Sequence, residues 1–159
     1  MKFTCTLLAV RDMERSRQFY CDLLGLHVTS DFGANITLSD CIALQTTESW
    51  TAFLEKPETE IVLGGNDAEL YFEETNMDGF LEKLKGYPDV RYVHPLKEHS
   101  WGQRVVRFYD PDLHIIEVGE SMQGVTRRFR DSGMTPEQIA LRMDVPQDAV
   151  LHWLHMEDL

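Results

Sequence analysis

Side chains able to do chemistry recur in this chain at matched spacings. Cys5 stands seven residues before Asp12, which opens Asp12-Met13-Glu14, and Glu69 stands seven before Asn76, which opens Asn76-Met77-Asp78. Further on, Gln45 follows Asp40 by five residues and Glu117 follows Asp112 by the same five. Cys5 therefore pairs with Glu69, and Gln45 with Glu117. A thiol, an amide and two carboxylates at equivalent places in a repeat converge near a pseudo-twofold axis if the repeats stack into one core. A second group lies in His94-Pro95-Leu96-Lys97-Glu98-His99-Ser100-Trp101-Gly102, which leads to Arg107 and Tyr109. There His99 can act as an acid or base and Trp101 as an aromatic wall at a cavity mouth. The bland reading has Trp101 plugging one end of the sheet and both histidines in solvent. His94 and His99 are five apart across a proline, too loose for chelation by that pair alone.

The elements that must hold these residues follow from local pattern. Lys2 to Val10 reads as a strand, and Asp12 caps a helix to about Leu24 with Ser16, Phe19, Tyr20, Leu23 and Leu24 on one face. Gly25 ends it. Strands near His27–Asp31, Ala34–Leu38 and Cys41–Gln45 complete a β-α-β-β-β unit, and Thr46 to about Glu60 reads as a linker and partial lid. The pattern repeats as a strand at Asp67–Glu74, a helix capped by Asn76 with Met77, Phe80, Leu81 and Leu84 on one face, and strands near Val90–His94, Gln103–Tyr109 and Leu113–Gly119. Alternation sends Leu70, Phe72, Val106 and Phe108 toward the helix. The opposite face then carries Glu69, Tyr71, Glu73, Gln103, Arg107, Tyr109 and Glu117, with Gln45 and Cys5 from the first unit. A polar face of this kind is where a ligand cavity would lie. The expected fold is α+β: two βαβββ modules, residues 1–46 and 67–120, forming a curved mixed sheet around a cavity in a domain of residues 1–120.

Composition narrows the partners. Asp and Glu outnumber Lys and Arg 27 to 15, a formal charge of −12 that repels nucleic-acid backbones and anionic membranes. The N-terminus lacks the apolar segment of a signal peptide, and Cys5, Cys21 and Cys41 have no C-x-x-C spacing, so free thiols in the cytoplasm are expected.

The paired modules, the segment Val10-Arg11-Asp12-Met13-Glu14-Arg15-Ser16-Arg17-Gln18-Phe19-Tyr20, and the run from Trp101-Gly102 to Asp110-Pro111-Asp112 with Glu117 resemble the vicinal oxygen chelate superfamily. That superfamily groups glyoxalase I, methylmalonyl-CoA epimerase, extradiol dioxygenases, fosfomycin-resistance enzymes and bleomycin-resistance proteins. The resemblance implies that metal ligands, where there are any, come from the first and last strands of each module, here Cys5, Gln45, Glu69 and Glu117. Metalloenzymes of the group usually carry His at both first-strand places, which are Cys5 and Glu69 here. Such a set implies a divalent ion (Mn, Mg, Ni, Zn or Fe) or none. Its oxygen donors favour Mn²⁺ or Mg²⁺, and its lack of imidazole disfavours tight Zn²⁺ or Fe²⁺. Two glutamates in one cavity repel unless a cation intervenes, and Arg107 can supply that cation without metal. Cys5 also reads as a small buried hydrophobe. Both readings stand at this level.

Residues 121–159 depart from the repeat as a C-terminal helical extension. Met134 to Val150 resembles a helix-turn-helix in spacing, with Thr135 as cap and Pro136 in the first turn. The helix from Gln147 to His155 has Asp148 and no Lys or Arg to meet phosphates, so a packing role for Ile139, Met143, Val150, Trp153 and Leu154 is expected instead. The expected function is enclosure of a small organic molecule, with Tyr71, His94, Trp101, Arg107 and Tyr109 as ligand contacts and Arg107 facing an anionic or carbonyl group. The alternative is a metal-assisted lyase, isomerase or dioxygenase in which Glu117 or His99 moves the proton. A homodimer is expected.

Overall fold

The structure, a computed structural model, describes residues 1–155. The end of the expected extension, 156–159, lies outside the described residues. The chain divides into two units, Met1–Ala68 with Tyr109–Ile115, and Glu69–Phe108 with the chain from Ile116 onward.

In the first unit, strands β1 (Thr6–Val10), β2 (Val28–Asp31), β3 (Asn35–Leu38) and β4 (Ile42–Thr46) form one sheet in the order β1-β4-β3-β2. β1 runs parallel to β4, with Ala9 beside Gln45, and the other pairs are antiparallel. Helix α1 (Met13–Gln18) starts where Asp12 accepts a hydrogen bond from Arg15 N at 3.0 Å. It continues as a wider π-helical turn, Phe19–Leu23, in which Phe19, Tyr20 and Leu23 are buried. Gly25, at φ +74°, closes it. The expected linker instead contains helix α2 (Thr47–Leu54), capped by Thr46 and ended by Glu55 in the left-handed region, followed by a 3₁₀ turn at Glu58–Glu60. No residue of α2 is buried, although Trp50, Phe53 and Leu54 stand at helical spacing within it.

The first unit also holds the turn between the last two strands. Asp110, buried, accepts from Asp112 N (2.9 Å) and His114 N (2.8 Å) on one oxygen. Its other oxygen takes the Tyr20 hydroxyl (2.8 Å) and His114 Nδ1 (2.8 Å). Burial, reinforced by the Asp110 charge, pushes the Tyr20 hydroxyl well above its ordinary pKa, so it stays a donor. His114 is thus held by hydrogen bonds to Asp110 through both its backbone and its ring.

The second unit repeats the plan. Strands β5 (Glu69–Glu74), β6 (Tyr92–Glu98), β7 (Arg104–Tyr109) and β8 (Ile115–Glu120) are ordered β5-β8-β7-β6, the same order as in the first sheet. Helix α3 (Met77–Lys85), capped by Asn76, buries Met77, Phe80 and Leu84. Phe80 stacks on Phe108 at 6.3 Å, which fixes the face of β7 that meets α3.

Three helices follow: α4 (Met122–Asp131), α5 (Pro136–Met143) and α6 (Gln147–His155). Thr135 and Gln138 close a capping box on α5. Val125, Phe129, Ile139, Ala140, Met143 and Val150 form their core, with Trp153 and Leu154 partly buried against it, as the packing expectation requires. Glu120, only 2% exposed, joins this cluster to the sheet. Arg104 grips its carboxylate through Nε (3.1 Å) and Nη2 (2.8 Å), and Arg128 through Nε (3.2 Å) and Nη2 (3.0 Å). Arg104 also reaches Asp78 on α3 at 2.6 Å. Arg128 donates to the Gly102 carbonyl, and Arg142 to the Ser100 carbonyl and to Glu98. The loop 99–102 is thus clamped by α4 and α5.

Burial alone would raise the Glu120 carboxyl, but the Arg104 and Arg128 hydrogen bonds outweigh it and hold its pKa below the ordinary value. Such a group stabilises the fold at pH above its unfolded-chain pKa and loses that contribution as pH falls through its lower folded value. Glu120→Ala should cost about 3 kcal/mol in denaturant unfolding, the low end for breaking a buried pair because Arg104 keeps Asp78. The variant should also show a shallower loss of stability below the ordinary carboxylate range. Gly102 has φ +93°, and a Cβ there would lie 2.3 Å from Phe129 Cζ. Gly102→Ala should therefore cost about 2 kcal/mol. Gly133→Ala, at φ +92° with nothing within 4 Å, should cost measurably less in the same experiment.

Candidate functional site

The site is built on the face of the second sheet opposite α3. Because Phe108 points to α3, Arg107 points away, and alternation places Glu69 and Tyr71 of β5 and Glu117 and Gly119 of β8 on the same side. β6 is an edge strand, so Pro95 breaks no central ladder. The pairing with β7 shifts on both sides of His94 and sets His94 opposite Arg107.

Four of the expected site residues meet here. Arg107 Nε donates to Glu69 Oε2 at 2.9 Å, and Arg107 Nη1 lies 3.3 Å from His94 Nε2. Nη2 pairs with Glu117 Oε2. Glu117 is 7% exposed, and its Oε2 is buried with an ion pair but no aligned hydrogen bond. His94 Nδ1 sits 2.8 Å from the Pro95 carbonyl, which can only accept. The proton therefore belongs on Nδ1, and Nε2 offers its lone pair to Arg107. Glu69, Glu117 and Arg107 together carry a formal charge of −1.

A second chain of contacts runs beside it. Tyr71 donates to Glu73 Oε1 at 3.1 Å and accepts from Gln103 Nε2 at 3.3 Å. Gln103 Oε1 accepts from Trp101 Nε1 at 3.2 Å, and the Trp101 ring stacks on His99 at 4.3 Å and 8°. Gln103, 9% exposed, is the link that sequence reasoning placed on this face without giving it a role. An amide two residues from a tryptophan and of the same parity as Arg107 was the available signal. Gly119 leaves the space these groups use, since a Cβ there would come within 3.0 Å of both Gln103 Nε2 and Tyr71 Cε2. Burial raises the Tyr71 hydroxyl pKa. Trp101 stays 39% exposed and also lines an open cleft of about 390 Å³ with Ser100, Arg142, Met143 and Asp144.

The remaining expected residues lie in the first unit. Tyr109 donates to Asn66 Oδ1 at 2.7 Å. Gln45, 4% exposed, accepts from Asn35 Nδ2 at 2.7 Å and donates to the Ser49 hydroxyl. Cys5, half-buried, precedes β1 rather than lying in it. As arranged, these groups do not suit a divalent ion: both carboxylates are committed to Arg107, and the Gln45 amide oxygen to Asn35. No cluster of three or more His, Cys, Asp or Glu among the described residues is placed to hold a metal. No helix among them is long and apolar enough to cross a membrane.

Comparison with known proteins sets this geometry in a family. A protein of unknown function from Agrobacterium tumefaciens str. C58 is 37% identical, with a TM-score of 0.67 over 77% of this chain and 95% of that one. A glyoxalase/bleomycin resistance protein/dioxygenase from Nocardioides is 20% identical, with a TM-score of 0.58 over 76% of this chain and 84% of that one. A glyoxalase-related enzyme from Fulvimarina pelagi is 16% identical, with a TM-score of 0.62 over 76% and 88%. The last two likenesses speak for the fold alone. Comparison with the curated proteins gave no match. The Glyoxalase-like domain family matches residues 3–123, and with the duplicated β-α-β-β-β plan this places the chain in that family, within the vicinal oxygen chelate superfamily.

Proposed function

We propose that this protein binds a small organic molecule on the face of the second sheet opposite α3. The observation that carries this is the state of Arg107. Its guanidinium is held by Glu69, Glu117 and His94 on three other strands, yet its side chain remains 26% exposed. A guanidinium has five N–H donors, and the hydrogen bonds to Glu69 and His94 use two of them, so donors remain for a ligand in a fixed orientation. Because the cluster already sums to −1, the fitting partner is a neutral acceptor, a carbonyl or hydroxyl oxygen, rather than a carboxylate or phosphate. The half-exposed Tyr71 ring and the His99–Trp101 stack supply apolar surface for the body of the molecule, and Gln103 holds both in register.

A thermal-unfolding screen of neutral, aromatic carbonyl and hydroxyl compounds tests this. A compound at a hundred times its Kd should stabilise the protein by about 2.7 kcal/mol. Tyr71→Ala and Trp101→Ala should each weaken such a compound about tenfold, roughly 1.4 kcal/mol, while leaving the protein folded. Hits whose affinity neither substitution alters would refute this assignment.

A further inference from the structure

The C-terminal end of α5 carries a carboxylate that the helix itself does not call for. Asp144 ends α5 at φ 56° and ψ 47°, in the left-handed region. Glycine or asparagine takes such a place at least cost, and a negative charge there faces the negative end of the helix dipole. Asp144 is exposed, and among the described residues its carboxylate meets no hydrogen-bond donor and no cation. The arginines that tie α4 and α5 to the sheet are matched already: Arg104, Arg128 and Arg142 pair with Asp78, Glu98 and Glu120, a network of zero formal charge. The Asp144 charge is outside it. What this carboxylate faces is aromatic surface, since Asp144 and Trp101 line the same open cleft of about 390 Å³. His99 stacks over one face of the Trp101 indole and leaves the other face and the edges to that cleft. Asp144 also lines a second open cleft, of about 460 Å³, with Leu141, Val145 and Pro146, where Leu141 is 85% exposed.

We propose that these joined clefts bind a small organic cation, an ammonium carrying alkyl groups. The Asp144 carboxylate takes the charge, the Trp101 indole takes the carbons that bear it, and Leu141 and Val145 take the apolar remainder. An indole face attracts a cation more strongly than any other aromatic side chain does, and the α5 C-terminus adds partial negative charge beside Asp144. A single carboxylate next to a ring suits a weakly hydrated ammonium and not a metal ion, which needs several oxygen ligands. Arg142 lines the cleft without opposing this, because its guanidinium donates to Glu98 and to the Ser100 carbonyl. The formal charge of −12 on the chain draws cations from a distance. This site shares Trp101 with the face described above, but it is completed by α5, past residue 123 where the family match ends, and its ligand is charged instead of neutral.

The test is titration of the full chain with choline and with dimethylbutanol, the uncharged analogue with carbon in place of nitrogen, followed by NMR at the Trp101 indole N–H. Choline should bind about tenfold tighter than the alcohol, the sum of a cation–π contact and one exposed ion pair, and should weaken as NaCl rises. Asp144→Asn keeps a residue at ease in the left-handed region, so it should weaken choline about fivefold without lowering Tm. Trp101→Ala should abolish the preference for choline over the alcohol. Tyr71→Ala, which weakens the neutral ligand proposed above, should leave choline binding unchanged, so either proposal can fail alone. Choline that binds no tighter than the alcohol overturns the proposal, as does an Asp144→Asn protein with undiminished choline affinity. A lower Tm for Asp144→Asn would show that the carboxylate serves the fold, and would overturn it too.

Discussion

A carboxylate leaves water only if a cation or a full set of hydrogen-bond donors goes with it, and a cation is the stronger partner. The second unit meets that constraint twice on one pair of strands. β7 carries Arg104 and Arg107, and β8 carries Glu117 and Glu120, each pair three residues apart and so on opposite faces of the sheet. On the α3 face, Arg104 takes Glu120, and on the other face Arg107 takes Glu117. The loop before β7 and the candidate site are held by these two neutralisations.

The two solutions differ in completeness, and the difference separates scaffold from site. Glu120 is gripped by two guanidiniums through four hydrogen bonds, and those same arginines reach α3 and the loop before β7. A network so fully paired fixes geometry: it welds α4 to the sheet and clamps the residues that present Trp101. Glu117 has one guanidinium, shared with Glu69 and His94 and still partly open to solvent. The first arrangement leaves nothing for a ligand to do, whereas the second holds donors in place without using them all.

Much of this was legible in the sequence, because it follows from period and parity. The duplicated spacing gave the module plan, and both sheets share one strand order. Alternation put Glu69, Tyr71, Gln103, Arg107 and Glu117 on one face, and bridging of the two glutamates by Arg107 was one of the two electrostatic outcomes then open. What stayed hidden depends on register and on distant partners. His94 joins Arg107 only because the β6–β7 pairing slips around Pro95, which no local pattern encodes. Gln45 is consumed by Asn35, its direct neighbour across β3 and β4, a pairing visible only once that register is known. Helix α2 is a short run of eight residues in which Trp50, Phe53 and Leu54 stand at helical spacing without being buried, and the α1 helix widens into a π turn at Phe19–Leu23 that its apolar spacing does not distinguish from α-helix.

The motif Asp110-Pro111-Asp112 shows how the same residue type separates into scaffold and site. Asp110 has both oxygens filled by four donors, and Asp112 takes Arg11 N at 3.2 Å and Ser16 Oγ at 3.3 Å. Burial raises the Asp112 pKa, which those two bonds only partly offset. These aspartates build a turn. Of the buried acids Asp110, Asp112, Glu117 and Glu120, only Glu117 keeps an oxygen without an aligned hydrogen bond, and among the described residues that oxygen is the one buried side-chain N or O atom in this condition. The fold satisfies its other buried polar groups and leaves this one to a shared and partly exposed guanidinium, which is the physical ground for proposing the binding face there.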